Sequence, residues 1–181
     1  MSKKILIITA SPRARSNSDV MAAAFARGAQ DAGNVVETVS LKGKDIRYCK
    51  GCLACMKTGR CTIQDDDTQT IVAKMRDAEV LVFASPVYYF GVTAQLKALL
   101  DRCNPIFKRD VAFRDIYLLT SAAGDEPEAE EKMVANLQGW VDCFPPAKIV
   151  GSLLINNIKD PGAVQDHPDL AKAYEMGRAI D

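Results

Sequence analysis

The sequence predicts an α/β fold: a doubly wound, five-stranded parallel sheet in a single domain of residues 1–181. Five short runs rich in Ile, Val and Leu alternate along the chain with segments of helical period. Most of these runs are continuously apolar, a pattern typical of strands that are covered on both faces. No repeat or long linker divides the 181 residues, a length that fits one hydrophobic core.

The five apolar runs are the predicted strands. They cover residues 4–9, 35–41, 80–84, 115–120 and 148–155. The first contains Ile5-Leu6-Ile7-Ile8, an apolar run that leads directly into a polar loop. Because helical segments separate the runs, we expect right-handed crossovers between parallel neighbours.

Five helices are predicted between and after the strands. They cover residues 19–32, 67–77, 93–103 and 128–143, and a last helix begins near Pro168 and ends the chain. Ser16-Asn17-Ser18 can cap the first helix, and Gly33 stops it. The acidic run 65–67 suits the positive end of the second helix dipole, and Pro127 lies near the first turn of the fourth.

Composition and charge exclude several classes of partner. The chain has 23 basic and 23 acidic residues, so we expect neither nucleic acid nor an anionic membrane as a partner. Its apolar runs are too short to cross a bilayer. The N-terminus leads straight into a strand, so we expect no signal peptide and a cytoplasmic protein. In that compartment, six cysteines are expected to be thiols, metal ligands or redox groups.

The loop after the first strand has the chemistry of a phosphate cradle. It leads into a helix N-terminus, where backbone N–H groups are unpaired and the dipole is positive. Side-chain donors come from Ser11, Ser16, Asn17 and Ser18, and Arg13 adds charge-assisted ones. The loop matches neither G-x-G-x-x-G nor the P-loop pattern. Mostly neutral donors favour the terminal monophosphate of a tightly held cofactor.

The loop after the third strand places three aromatic residues in a row. Tyr88-Tyr89-Phe90 follow Pro86 and Val87 and precede a glycine, which indicates a loop that presents a flat apolar wall to a planar ring. In the alternative interpretation Tyr88 and Phe90 only cap the core, while Tyr89 lies on the surface. The loop after the fourth strand, residues 120–125, is rich in small residues, which either admit a ligand or form a plain surface turn. Ligands of such sheets bind beyond the carboxyl ends of the strands.

Three motifs together resemble the NAD(P)H-dependent FMN reductases of the flavodoxin-like superfamily. They are S-P-R-x-x-S-N-S (residues 11–18), S-P-V-Y-Y-F-G (85–91) and L-K-A-L-L-D-R (96–102). The resemblance implies the strand order 2-1-3-4-5, bound FMN, NAD(P)H as co-substrate, and a homodimer or homotetramer. It also implies three groups of cofactor-binding residues: Ser11, Arg13, Ser16, Asn17 and Ser18 at the phosphate, Pro86, Val87, Tyr88, Tyr89 and Phe90 at the isoalloxazine, and Ser121, Ala123, Gly124 and Asp125 on the other side.

A cysteine cluster lies in the long connection between the second strand and the second helix. Cys49, Cys52, Cys55 and Cys61 have the spacing C-x2-C-x2-C-x5-C. This spacing is similar to ferredoxin ligand runs, and the segment resembles the iron–sulfur flavoprotein branch, which implies a [4Fe–4S] cluster. Zinc and free thiols in a structured loop stay open as alternatives. Cys103 and Cys143 are expected to be small buried residues on helices.

The function implied is an FMN-dependent oxidoreductase that takes electrons from NAD(P)H. The electron acceptor is a small molecule or a protein, and the group that accepts the electrons is a quinone, a nitro- or azo-aromatic, a metal ion or an iron–sulfur centre. The alternatives are an iron–sulfur flavoprotein, a flavodoxin-type electron carrier and a cysteine-based redox sensor; the balanced charge disfavours the carrier. The single histidine, His167, is expected to cap a helix or lie at the surface, which disfavours mechanisms built on histidine.

Overall fold

Five parallel strands form one sheet in the computed structural model, which describes residues 2–181, and their order is β2-β1-β3-β4-β5. The strands are β1 (Lys4–Thr9), β2 (Val35–Ser40), β3 (Val80–Pro86), β4 (Asp115–Ser121) and β5 (Lys148–Ile155). The helices are α1 (Asn17–Asp31), α2 (Ala54–Thr58), α3 (Thr68–Asp77), α4 (Ala94–Asp101), α5 (Ala129–Val141) and α6 (Leu170–Arg178). Both the doubly wound architecture and the strand order are therefore confirmed.

Apolar side chains alternate between the two faces of the sheet. Ile5 and Ile7 of β1 pack with α1 and α6 on one face, in a cluster that includes Phe25. Leu6 and Ile8 pack on the other face with side chains of α3, α4 and α5. The continuous apolar runs in β1, β3 and β4 follow from this two-sided burial.

The edge strands differ from the expectation that both faces of a strand are covered. In β2 the side chains are exposed or half-buried, and Val35 keeps 63% of its surface. In β5, at the other edge, Val150 keeps 40%. An edge strand pairs on one side only, so its apolar run reports strand propensity rather than complete burial.

The remaining differences lie at element ends. α1 begins at Asn17, two residues earlier than predicted, because Ser16 is the N-cap and forms a capping box with Asp19. β3 and β4 continue one or two residues further, so that Pro86 pairs with Ser121 at the carboxyl edge of the sheet. The short helix α2 inside the cysteine segment was not predicted.

A buried ion pair holds the long connection between β2 and α3. Arg102, at the C-cap of α4, donates from Nη1 to Asp66 Oδ2 at 2.8 Å and from Nη2 to Asp66 Oδ1 at 3.3 Å. The same guanidinium donates to the carbonyl oxygens of Arg47 (2.8 Å) and Ile63 (3.1 Å). Both charged side chains are at most 1% exposed. The residue that caps the end of α4 therefore holds both ends of the cysteine segment in place.

From residue 2 to residue 181, no helix combines the length and the apolar character that a bilayer span requires.

Candidate functional site

Three loops converge on one cavity at the carboxyl edge of the sheet. The cavity has a volume of about 100 Å³. It is lined by Ser11, Arg13, Ser16, Asn17, Pro86, Val87, Tyr88, Ser121, Ala123, Ile158, Lys159 and Pro161. It lies beyond β1, β3 and β4, beside the point where the strand order reverses, which is the usual ligand position in such sheets. Nine of these twelve residues belong to the three loops that the sequence analysis identified.

The first loop is shaped by its own hydroxyl groups. Ser11 Oγ accepts a hydrogen bond from the backbone N–H of Arg13 at 3.2 Å. Ser16 Oγ accepts from the N–H of Asp19 at 3.1 Å, which closes the capping box. The backbone N–H groups of Asn17 and Ser18 lie in the first turn of α1, where they have no carbonyl oxygen to pair with inside the helix. The loop therefore offers an anion two backbone donors and the positive end of the helix dipole.

Two side chains of this loop are used differently from the sequence prediction. Asn17 donates from Nδ2 to the carbonyl oxygens of Ile158 (3.1 Å) and Asp160 (3.0 Å), and its Oδ1 accepts from the N–H of Val164 at 3.2 Å. Ser18 is fully buried, with its Oγ 3.2 Å from that of Ser16. Their backbone groups, rather than their side chains, are the ones that remain for a ligand.

A fourth segment was missed by sequence reasoning. Residues 156–162, which we call the strap, follow β5 and supply Ile158, Lys159 and Pro161 to the cavity. Arg13 Nη1 donates to the carbonyl oxygen of Lys159 at 3.1 Å. The available signal was the end of β5, because all parallel strands of one sheet end at the same edge.

The loop after β4 contributes less of its length than predicted. Ser121 and Ala123 line the cavity, whereas Gly124 and Asp125 lie outside its lining. The backbone of this loop holds the strap: the carbonyl oxygen of Ala122 accepts from the N–H of Ile158, and that of Gly124 accepts from the N–H of Asn157, both at 3.0 Å.

The aromatic loop is a tight hairpin with an unusual turn. Tyr88 and Gly91 exchange backbone hydrogen bonds of 2.9 Å in both directions. The two residues between them, Tyr89 and Phe90, have φ of 49° and 59°. Positive φ at both central positions is the type I′ geometry that normally selects Asn-Gly, so side chains larger than glycine are strained there.

The exposure of these rings bears on the two interpretations of the loop. Tyr88 is 45% exposed, Tyr89 is fully exposed and Phe90 is 36% exposed, so none of them caps the core. Lys132 of α5 lies over the Phe90 ring, with Nζ 3.9 Å from the centroid. Of the three, Tyr88 lines the cavity. The exposure of Tyr89 fits both interpretations, whereas that of Tyr88 and Phe90 argues against a role in capping the core.

Relief of the turn strain gives a first prediction. Changing Tyr89→Asn together with Phe90→Gly is expected to raise the free energy of unfolding by about 1 kcal/mol, because Asn-Gly adopts a type I′ turn without strain. Urea denaturation measures the change. Tyr48→Asn, which removes another exposed tyrosine at a position without positive φ, is the control and is expected to have little effect. A destabilised double variant would contradict the strain.

The cysteine segment lies apart from this cavity. Cys55 is buried, Cys52 is exposed, and Cys49 and Cys61 are half-buried. Burial, and then the neighbouring thiols, raise the pKa of Cys55, whereas hydrogen bonds from the Ala54 amide and Thr62 lower the pKa of Cys52. Over the described residues, no three Cys, His, Asp or Glu side chains are gathered so that they could hold a metal ion.

A larger cavity of about 460 Å³ adjoins Cys49. It is walled by Phe107, Trp140 and Phe144 and lies where α4 and α5 end, at the amino edge of the sheet. Because ligands of open parallel sheets bind at the carboxyl edge, the smaller cavity is the candidate site.

Three remaining predictions concern single side chains. Cys103 is buried as expected, and burial raises its pKa, but it lies just after the end of α4 and outside the helix. Cys143 is exposed, so its predicted burial is wrong; it follows the end of α5 and lies outside the helix. His167 Nδ1 accepts from the N–H of Asp169 at 3.2 Å; Asp169 is the N-cap of α6 and has no side-chain cap hydrogen bond, so His167 lies just before the helix without capping it.

Comparison with known proteins places the chain in a family. The model of the NADPH-dependent FMN reductase family matches residues 3–152. An iron–sulfur flavoprotein of Archaeoglobus fulgidus is 32% identical over 180 residues, which cover 98% of this chain and 78% of that protein.

Two solved structures share the fold. An NAD(P)H:quinone oxidoreductase from Methanothermobacter marburgensis has a TM-score of 0.76 at 20% identity, covering 98% of this chain and 96% of that one. An azoreductase from Bacillus anthracis has a TM-score of 0.71 at 17% identity, covering 99% of this chain and all of that one. The structural likeness shows the fold, and the sequence matches show the family. The chain therefore belongs to the NADPH-dependent FMN reductase family and is a flavoprotein oxidoreductase.

Proposed function

We propose that the cavity at the carboxyl edge holds the phosphate end of FMN, and that the chain passes electrons from NAD(P)H to a planar aromatic acceptor. The observation that carries the proposal is the convergence of the first, third and fourth loops on one cavity at the topological switch point. The same loops carry the motifs of the family to which the chain belongs.

The size and chemistry of the cavity fit a phosphate group. Pockets that enclose a whole drug-sized ligand have volumes of roughly 300–1,000 Å³. A cavity of about 100 Å³ encloses only one end of FMN. The N-terminus of α1 at Asn17, with the cations of Arg13 and Lys159, gives that end a positive environment suited to a dianion.

The aromatic loop is then the support of the ring. Tyr88 lies at the rim of the cavity with nearly half of its surface free, so a planar ring system that extends from the cavity meets it first. When bound, FMN supplies hydride and electron transfer. The residues of this chain bind and orient it, and the open side of the loop leaves room for a nicotinamide and then for an acceptor.

We propose a small planar molecule, a quinone or an azo- or nitro-aromatic, as the acceptor. The exposed aromatic loop favours flat rings. Structural relatives named as a quinone oxidoreductase and an azoreductase support this class. A carrier of flavodoxin type is disfavoured, since such carriers are usually strongly acidic and this chain has 23 residues of each charge.

Flavin titration tests the proposed site. The wild-type protein is expected to bind FMN and to be reduced by NAD(P)H. Tyr88→Ala is expected to weaken FMN and riboflavin binding alike by about 3- to 10-fold, because the lost aromatic contact belongs to the ring and is independent of the phosphate. Tyr48→Ala is the control. Failure of the wild-type protein to bind FMN would overturn the proposal.

A second proposal concerns the cysteine segment. We propose that Cys49, Cys52, Cys55 and Cys61 bind a [4Fe–4S] cluster, since four thiols with this spacing are a ligand set for iron–sulfur clusters. The described thiols are not gathered into a metal site, so the segment must draw them together when the cluster binds; the other three already lie near enough to Cys55 to raise its pKa. The match to an iron–sulfur flavoprotein over 98% of the chain favours iron over zinc or free thiols.

Metal analysis after anaerobic purification tests the cluster. Four iron atoms per chain and a broad absorption band are expected, and Cys55→Ser is expected to lose both while FMN binding is kept. Cys143→Ser, which removes an exposed thiol outside the segment, is the control. Stoichiometric zinc, or a metal-free protein with six titratable thiols, would contradict the proposal.

We propose further that the protein is a cytoplasmic homo-oligomer in which a second copy covers the exposed aromatic loop. The fully exposed Tyr89 beside a cavity that encloses little of the flavin supports a cover from another chain. Light scattering is expected to give a dimer or tetramer; a monomer at all concentrations would exclude it.

A further inference from the structure

We infer that the strap, residues 156–162, is the second half of the phosphate site, in which Lys159 contacts the phosphate and Asn17 acts as a positioning residue that holds the strap. This inference rests on the proposed function. It adds a second segment of the chain to phosphate recognition. This segment lies beyond residue 152, where the match to the family model stops.

The strap is held against the first loop by a set of side-chain contacts. Asn17 is 7% exposed and uses both ends of its amide: Nδ2 donates to the carbonyl oxygens of Ile158 and Asp160, and Oδ1 accepts from the N–H of Val164. Arg13 adds a hydrogen bond to the carbonyl oxygen of Lys159. A side chain committed in this way fixes the strap and is not free to turn toward a ligand.

The loop after β4 fixes the other side of the strap. The N–H groups of Asn157 and Ile158 donate to the carbonyl oxygens of Gly124 and Ala122. The strap is thus tied to two of the three loops that line the cavity. Its position is therefore part of the site and follows from the same interactions that bring the loops together.

Charge explains why the strap carries a lysine. A phosphate monoester has a charge near −2 at neutral pH, in rough terms. The first loop brings Arg13 to the cavity, and Lys159 brings a second cation. The adjacent Asp160 is exposed and gives its carbonyl oxygen to Asn17. Two cations against one dianion balance the charge of the site.

Comparison of FMN with riboflavin, which lacks the phosphate, tests the role of Lys159. Lys159→Gln is expected to weaken FMN binding about 10-fold and to leave riboflavin binding unchanged, since the lost interaction belongs to the phosphate. Lys148→Gln removes the same charge at the opposite end of β5 and is the matched control, with no change expected for either ligand.

Proteolysis tests the role of Asn17. Asn17→Ala is expected to weaken FMN binding and to speed tryptic cleavage after Lys159, because the strap loses two hydrogen bonds and Val164, just after it, loses a third. Circular dichroism checks that the variant folds; should it not, the Lys159→Gln titration decides alone.

The outcomes separate the two proposals. A wild-type protein that binds neither flavin overturns the proposed function. A wild-type protein that binds FMN, together with a Lys159→Gln variant that binds FMN equally well, overturns the role of the strap and leaves the proposed function intact. Cleavage of Asn17→Ala at the wild-type rate overturns the positioning role.

Discussion

Replacing Gly28 or Gly177 with alanine is expected to destabilise the protein by about 3 kcal/mol or more, a large part of the stability of an ordinary domain. The two glycines lie where α1 and α6 touch. A Cβ on Gly28 would come within 2.0 Å of the Tyr174 carbonyl oxygen, and one on Gly177 within 2.1 Å of the Phe25 carbonyl oxygen. Backbone atoms cannot move aside as a flexible side chain can, so the helices must separate.

The consequence reaches the cavity, because the strap lies between β5 and α6 while Asn17 begins α1. We therefore expect both glycine variants to weaken FMN binding as well as stability. Denaturation in urea measures the loss.

Gly139→Ala is the matched control for these variants. Gly139 is also inside a helix, α5, but a Cβ there meets nothing within 4 Å. Alanine at such a position is expected to stabilise the protein by up to about 1 kcal/mol, through higher helix propensity. Destabilisation of equal size at all three positions would show that the close approach of α1 and α6 is not the cause.

Removing the Arg102 guanidinium is expected to cost about 3–5 kcal/mol, the usual result of leaving one partner of a buried ion pair uncompensated. Arg102→Met leaves the Asp66 carboxylate buried without its partner, and the carbonyl oxygens of Arg47 and Ile63 without their donor. Since these groups lie at both ends of the cysteine segment, we also expect faster alkylation of the buried Cys55 thiol in the variant.

Lys97→Met on the same helix is the control for the ion pair. Lys97 pairs with Asp101 at the surface, with both side chains about half exposed. An exposed i,i+4 pair contributes only about 0.3–0.5 kcal/mol. A loss of similar size in the two variants would contradict the special role of the buried pair.

Acid stability reports the same pair. Burial alone would raise the pKa of Asp66, but hydrogen bonds from Arg102, the Arg47 amide and Thr68 outweigh it, so the pKa lies below its usual value. A carboxyl group with a lowered pKa in the folded state stabilises that state above its unfolded pKa of about 3.9, and the contribution is lost as pH falls through the lowered value. Asp66→Asn is expected to be less stable at neutral pH and to lose less stability on acidification; a parallel pH profile would exclude this role.

Most of the sheet could be predicted from short-range patterns. The run 4–9 and the run 148–155 match β1 and β5 at both ends, because bounded apolar runs mark strands wherever the strand lies. The Ser16 cap was found for a similar reason, since a capping box joins residues only three apart. The first three loops of the candidate site followed from motifs that stand next to these strands.

The roles of individual side chains were harder to predict. Asn17 has the side chain of a phosphate ligand and stands in the phosphate motif. Its amide nevertheless pairs with backbone groups that are 141 to 147 positions further along the chain. Arg102 reads as the polar end of an amphipathic helix, yet it is 1% exposed and clamps a segment 36 to 55 residues away. Neither partner set has a local signal in the sequence.

The sequence by itself determined the α/β class, the strands and the loops that carry the family motifs, because each depends on residues within a few positions of one another. The tertiary structure alone decided that the strap joins the cavity, that Asn17 holds it, and that α1 meets α6 at two glycines. These depend on which distant backbone groups come together when the sheet is covered. Such pairings are set by packing and by the need to satisfy buried polar groups, and no local pattern encodes them.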